Sequence, residues 1–266
     1  MSPLDRPELL ARLRPGVSGL PPEAPEGGEL LRFAAADGTA LAARVWPGDP
    51  AEPHILFYPG EGLAAGDLLA LAEGFAPLGL TFAAMDWRGS GASGGTPSLD
   101  TLPEDASAGL QALLGWKADR GRPGPVVAMG QSLGASAALA AAVRHEADLL
   151  ALVMESGFRD STDLFAALGL PAEWAPAPGS DPFDNPALMR GFTKPVLFIH
   201  SQRDPVVSPG GLEWVVSESR SKSSRFQIIP GQGRLDIARR LGEAYHALIL
   251  EFLNHLLGRR PRRRRR

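Results

Sequence analysis

One serine in this chain of 266 residues has the setting of a nucleophile. Ser132 lies at the centre of Gly130-Gln131-Ser132-Leu133-Gly134. An apolar run at 126–129 leads into it, and an Ala-rich segment to about residue 144 leads away. The spacing predicts a strand, a sharp turn and a helix, with the serine at the tip. In such a turn the serine backbone is strained, and the residues two before and two after it are pressed together. Gly130 and Gly134 must therefore both lack a side chain. The turn lifts the Ser132 hydroxyl above the sheet edge. It also aims the Leu133 N–H, at the start of the new helix, toward an oxyanion. The chemistry on offer is nucleophilic attack by a hydroxyl. A serine hydroxyl is a weak nucleophile until a neighbouring base takes its proton, so other parts of the chain must supply that base.

The elements that position these groups follow from apolar periodicity. Residues 30–36 and 39–46 flank Asp37-Gly38, which predicts an antiparallel hairpin with a two-residue turn. Continuous apolar runs at 54–58, 80–85, 126–129, 149–154, 195–200 and 225–229 read as buried strands. Helical spacing marks 66–77, 103–116, 209–219 and a long amphipathic stretch at 235–257. Strands alternating with helices predict an α/β class, with a mainly parallel sheet covered on both faces. Residues 1–28, rich in Pro and Gly, read as a loosely ordered arm with a short helix at 7–13. Residues 29–258 read as a single domain, and 259–266 as a disordered arginine-rich tail. The segment 159–194 is irregular. Its Phe165, Leu168, Leu170 and Trp174 read either as an apolar acyl pocket or as a packed flap.

With these landmarks in order, the chain resembles the α/β-hydrolase superfamily, in particular the compact Bem46-like and serine aminopeptidase-like serine hydrolases. The likeness covers roughly residues 30–257. It rests on Tyr58-Pro59-Gly60, on Asp86-Trp87-Arg88-Gly89-Ser90-Gly91 and on Gly130 to Gly134. Pro182-Phe183-Asp184-Asn185 and the strand ending His200-Ser201-Gln202-Arg203-Asp204 complete it. The resemblance implies an N-terminal antiparallel hairpin joined to a mostly parallel sheet, helices on both faces and a minimal lid. It also implies hydrolysis of esters, thioesters or small amides through a Ser132 acyl intermediate.

In that fold the catalytic parts follow in the order Ser, Asp or Glu, His. Ser132 matches the nucleophile and Asp204 the acid, with Glu155 and Asp160 as weaker candidates for the acid. The base position, just after the last strand, departs from the family. The loop reads Pro230-Gly231-Gln232-Gly233-Arg234, and Arg234 stands where the histidine belongs. Arginine stays protonated, so it cannot accept the serine's proton, and it is expected to pair with Asp204. His200, four residues before Asp204, and His246, about 12 Å along the last helix, are the candidates for a substitute base. The oxyanion loop departs too: Pro59-Gly60-Glu61-Gly62 has an acid at a position that is usually neutral. The Glu61 N–H can donate beside that of Leu133. Its carboxylate would oppose an oxyanion unless it turned away or paired with Arg88 or Arg234. Loss of one triad member lowers activity by several powers of ten. The expectation is therefore a serine hydrolase of weak or lost activity, or else a non-catalytic relative that binds a ligand or partner in the same cleft.

Composition excludes other classes. The chain is 44% hydrophobic and 21% charged, and it has no cysteine. Disulfides, thiolate catalysis and Cys-ligated metals are excluded. The glycine-rich loop 89–95 does not match a phosphate-binding spacing, and no His and carboxylate spacing suggests a metal, so no cofactor is expected. No run reads as a signal peptide or a membrane span, which points to a cytoplasmic protein. The net charge of −3 hides an asymmetry: without the seven arginines of 259–266, 20 basic side chains face 30 acidic ones, a balance of −10. The tail reads first as solvated chain. In the alternative it binds nucleic acid or an anionic lipid surface by counterion release, which would make the protein nucleic-acid-associated.

Overall fold

The apolar runs become the strands of one sheet. The computed structural model describes residues 3–13, 17–177 and 179–259. The strands are β1 (Glu29–Ala34), β2 (Ala40–Trp46), β3 (His54–Tyr58), β4 (Thr81–Asp86), β5 (Val126–Gln131), β6 (Leu149–Glu155), β7 (Val196–Arg203) and β8 (Arg225–Gln232). Their order across the sheet is β1-β2-β4-β3-β5-β6-β7-β8. β2 runs antiparallel to β1 and β4. All pairings from β4 to β8 are parallel.

The helices are α1 (Pro7–Leu13), α2 (Ala65–Phe75), α3 (Leu102–Asp119), α4 (Leu133–Arg144), α5 (Ser161–Ala167), α6 (Asn185–Arg190), α7 (Pro209–Ser217), α8 (Ile237–Leu241) and α9 (Glu243–Leu256). They cover both faces of the sheet, which is why the central strands are apolar throughout rather than alternating. Successive β5 side chains feed opposite layers. Val126 and Ala128 join the core under α3 and α4, with Leu110, Leu113 and Leu139. Val127 and Met129 join the core under α2 and α9, with Leu71, Phe75, Ile249 and Phe252. Among the described residues, no helix is long and apolar enough to cross a membrane.

Three sequence expectations change. The β1–β2 turn is longer than Asp37-Gly38: Ala35 N–H donates to Thr39 O (2.8 Å) and Gly38 N–H to Ala35 O (2.9 Å). Gly38, at φ +82°, supplies the left-handed residue that closes it. The long final helix is two helices, divided at Gly242 with φ 53° and ψ −128°. The apolar spacing carries on across that break, so periodicity alone reads it as one element. In the N-terminal segment, residues 3–13 and 17 pack on the domain. Leu4, Leu9, Leu13 and Val17 are buried, and Asp5 accepts from Leu99 N–H (2.8 Å) and Ser98 Oγ (2.7 Å). Its few apolar residues find cover on the domain although they are too few to show a period. In the segment 159–194, Phe165 is buried, and Leu168, Leu170 and Trp174 pack on the same core, which makes it a packed flap. Arg259 pairs with Glu52. The rest of the expected tail, 260–266, lies outside the described residues.

Candidate active site

Four loops meet above the carboxyl ends of the parallel strands, where α/β sheets place their ligands. They follow β3, β5, β7 and β8, and they bring Glu61, Ser132, Asp204 and Arg234 together. Ser132 forms the turn between β5 and α4 with φ 52° and ψ −117°, a backbone conformation that L residues rarely adopt. Packing holds it there. A Cβ on Gly130 would lie 2.1 Å from Gly134 O, and one on Gly134 would lie 1.9 Å from Tyr58 O. Gly60 allows the third approach: its Cβ would meet Gln131 O at 2.6 Å and Ser132 Cβ at 3.2 Å. The oxyanion-side loop therefore lies directly against the serine turn.

Charges face the hydroxyl from both sides. Ser132 Oγ donates to Glu61 Oε1 at 2.8 Å and accepts from Arg234 Nη2 at 2.5 Å. Arg234 also donates to Glu61 Oε1 (3.2 Å) and, through Nη1, to the two Asp204 oxygens (3.4 and 3.3 Å). The expected pairing of Arg234 with Asp204 is present. Glu61 does not turn away. It pairs with Arg234 rather than Arg88, whose guanidinium holds Asp105 and Asp37. Asp204 has no exposed side chain, and its Oδ1 accepts from Val206 N–H (2.8 Å) and Val207 N–H (3.0 Å). The cluster has one guanidinium against two carboxylates around a fully buried serine.

Neither candidate histidine reaches Ser132. His200 is buried, with Nε2 at 3.0 Å from Val207 O and 3.7 Å from Asp204 Oδ2. Burial lowers its pKa from the ordinary histidine value and the Arg234 charge lowers it further, against the Val207 carbonyl and Asp204, so it is held neutral. His246 packs edge-on against Phe75, under Gly74, with Nδ1 at 3.2 Å from Gly242 O and Nε2 at 3.3 Å from Leu71 O. It belongs to the core between α2 and α9.

The loop carrying Arg234 is anchored by Glu155, a weaker candidate for the acid, and by residues to which the sequence reading gave no role in the site. Ser156, the other non-glycine residue with positive φ among those described (48°), donates from Oγ to Arg234 O at 2.7 Å. Gln131 Nε2 donates to Leu235 O (3.3 Å) and to Glu155 Oε1 (2.5 Å), and Tyr245 Oη donates to Glu155 Oε2. Burial raises the Glu155 carboxyl to about 7, against the bonds from Tyr245 and Gln131. Glu155 therefore holds the framework of the loop, while Asp204 faces Arg234. Asp160 caps α5 through Asp163 N–H and lies outside the cluster. The available signal was Glu155-Ser156-Gly157 directly after a strand, a second small-residue turn at the same sheet edge.

Strand order, serine turn and the convergence of these loops define an α/β-hydrolase fold. Comparison with known proteins carries this further. Residues 49–174 match the family model described as serine aminopeptidase, S33. The chain is 25% identical over 210 residues to the protein bem46 of Schizosaccharomyces pombe, covering 76% of this chain and 67% of that one. It is 30% identical over 168 residues to an uncharacterized protein of Mycobacterium tuberculosis, covering 62% of this chain and 57% of that one, less than two thirds of its length. Among solved structures, an esterase of Pyrococcus furiosus, Pf2001, superposes with a TM-score of 0.67 at 16% identity, covering 86% of this chain and 92% of that one. A monoacylglycerol lipase of Paleococcus ferrophilus gives 0.63 at 18% identity, covering 81% and 99%. The family model, the likeness to bem46 and the shared fold together support a place in the α/β-hydrolase superfamily, beside Bem46-like proteins, and the fold is the one that the esterase and the lipase share.

Proposed function

We propose that this protein is a serine-hydrolase-type member of its superfamily in which Ser132 is the nucleophile, Asp204 the acid and Arg234 the occupant of the histidine position. Hydrolysis of ester, thioester or small amide bonds is accordingly slow or lost. The reading rests on one observation. A single guanidinium bridges the serine and the acid, with Nη2 2.5 Å from Ser132 Oγ and Nη1 3.3 Å from Asp204 Oδ2. It occupies the space an imidazole would need. Arginine can donate there and cannot take up a proton. The backbone N–H groups of Leu133 and Glu61 would receive the oxyanion. The esterase and lipase named among the structural neighbours support an acyl compound as substrate or ligand. The test is fluorophosphonate labelling of Ser132 against Ser132→Ala. Labelling of the wild type at the rate of an intact triad enzyme would refute impairment.

A second reading is favoured by the complete burial of Ser132 behind two charged side chains. In it the site is a non-catalytic pocket that binds an acyl-type ligand or a partner. Ligand binding that persists in Ser132→Ala, with no turnover in wild type, distinguishes it.

A further inference from the structure

The hydroxyl of Ser132 already has a proton acceptor. Among the described residues its side-chain partners are two: Arg234, which donates to Oγ, and Glu61 Oε1, which accepts the O–H at 2.8 Å. That is hydrogen-bond reach for a general base. We propose that Glu61 is the base for the remaining serine chemistry of this site, with Arg234 stabilising the charge that develops on Oγ. The proposal rests on the reading of Ser132 as the nucleophile.

The steps balance. The Ser132 proton moves to Glu61 Oε1 as Oγ bonds to the acyl carbon, and the carbonyl electron pair moves onto its oxygen. Collapse of the tetrahedral adduct breaks the bond to the leaving group, which takes the proton from Glu61 and departs as alcohol or thiol. Water then attacks the acyl-serine, gives a proton to Glu61, and the acid leaves as Ser132 recovers its proton. The order of charges favours this route. A spectator carboxylate beside the oxyanion would oppose it. A carboxylate that has just taken the serine's proton is neutral when the oxyanion forms. Glu61 Oε2 is buried with no hydrogen-bond partner among the described residues, so the carboxylate keeps an unused acceptor oxygen inside the site. Oγ has a second lone pair for attack while Arg234 Nη2 holds the first, so Arg234 stays on Oγ as its charge develops.

A carboxylate is a weaker base than an imidazole, so the preferred substrates are acyl compounds with good leaving groups, such as aryl esters and thioesters. The probe is p-nitrophenyl acetate, read as the Ser132-dependent acylation rate after subtracting Ser132→Ala. Glu61→Gln keeps the size and removes the base, and is expected to lower that rate about 100-fold or more. Glu61→Asp withdraws the carboxylate and falls less, with the wild-type pH profile retained. A Glu61→Gln protein that folds and acylates as fast as wild type, or faster, overturns the proposal. So does a wild type with no Ser132-dependent acylation. In that case a gain in Arg234→His would leave Ser132 standing as the nucleophile, and silence in both would remove it as well.

Discussion

The turn that carries Ser132 and the two loops that face it follow different rules. The turn has everything a serine nucleophile requires: a strained φ of 52°, a helix start behind it, and glycines with no room for a methyl group. The facing loops carry a carboxylate, Glu61, and a guanidinium, Arg234, which on the reading proposed above stand in place of a neutral residue and an imidazole. The difference lies in what holds each region. The turn is enforced by backbone atoms of β3 and α4 in contact, so a change there disrupts the sheet. Glu61 and Arg234 have side chains held mainly by each other, by Ser132 and by Asp204. A change of chemistry there leaves the backbone intact, provided the charges still pair.

This contrast can be broken at its strong side. Gly134→Ala would place a methyl group 1.9 Å from Tyr58 O and 2.8 Å from Pro59 O, both backbone atoms that cannot move alone. The expected loss exceeds the roughly 3 kcal/mol at the upper end of ordinary overpacking, read as a lowered urea midpoint or failure to fold. A stability within 1 kcal/mol of wild type, by order of magnitude, would show that the turn is not enforced by packing.

The framework behind the Arg234 loop gives the next effect. Burial raises Glu155 to about 7 from an unfolded value of 4.5, so the folded state holds the proton more tightly. Its contribution is full below the unfolded value and is lost as pH rises through about 7. Glu155→Gln should remove this slope and gain roughly 3 kcal/mol over wild type at high pH, measured by denaturant unfolding across the range. Parallel stability curves for the two proteins would contradict it.

The facing loops offer a test of sign. In wild type, Glu61→Gln is expected to slow Ser132 acylation. In an Arg234→His background a base is restored, and Glu61 becomes a carboxylate beside the oxyanion that also holds the imidazole in its charged form. There the same change should raise the rate about tenfold and move its inflection to lower pH. Equal effects in both backgrounds would mean that Glu61 has one role throughout. The smallest effect belongs to Gly62, at φ +76°, where a Cβ meets only Leu235 Cδ1 at 3.7 Å. Gly62→Ala should cost about 1 kcal/mol in thermal or denaturant unfolding, from backbone strain alone.

Much of this was legible before any coordinates. The central strands coincide with apolar runs ended by turn residues, because covering both faces leaves no polar alternation to confuse the reading, and β1 and β2 were marked instead by the turn at Asp37-Gly38. Arg234 was legible as a residue of the loop after the last strand, which Gly231 and Gly233 mark, and the family resemblance is what sets it against the base position. Its contact with Asp204 followed from charge. The break at Gly242 was not, since Ile237, Tyr245 and Ile249 keep facing one core on either side of it. Nor was the inward turn of Glu61, which is settled by a partner 173 residues away. Ser156 escaped notice because its role is to hold the backbone of residue 234, and nothing in its own neighbourhood indicates that.

The central proposal is that a fixed cation, Arg234, occupies the place of the proton acceptor beside an intact serine turn. The most direct measurement is kcat/KM for p-nitrophenyl acetate in Arg234→His against wild type, each corrected with its Ser132→Ala counterpart. The account predicts a Ser132-dependent gain of about 100-fold or more, with a new inflection near the imidazole range. A folded Arg234→His protein no faster than wild type would contradict it.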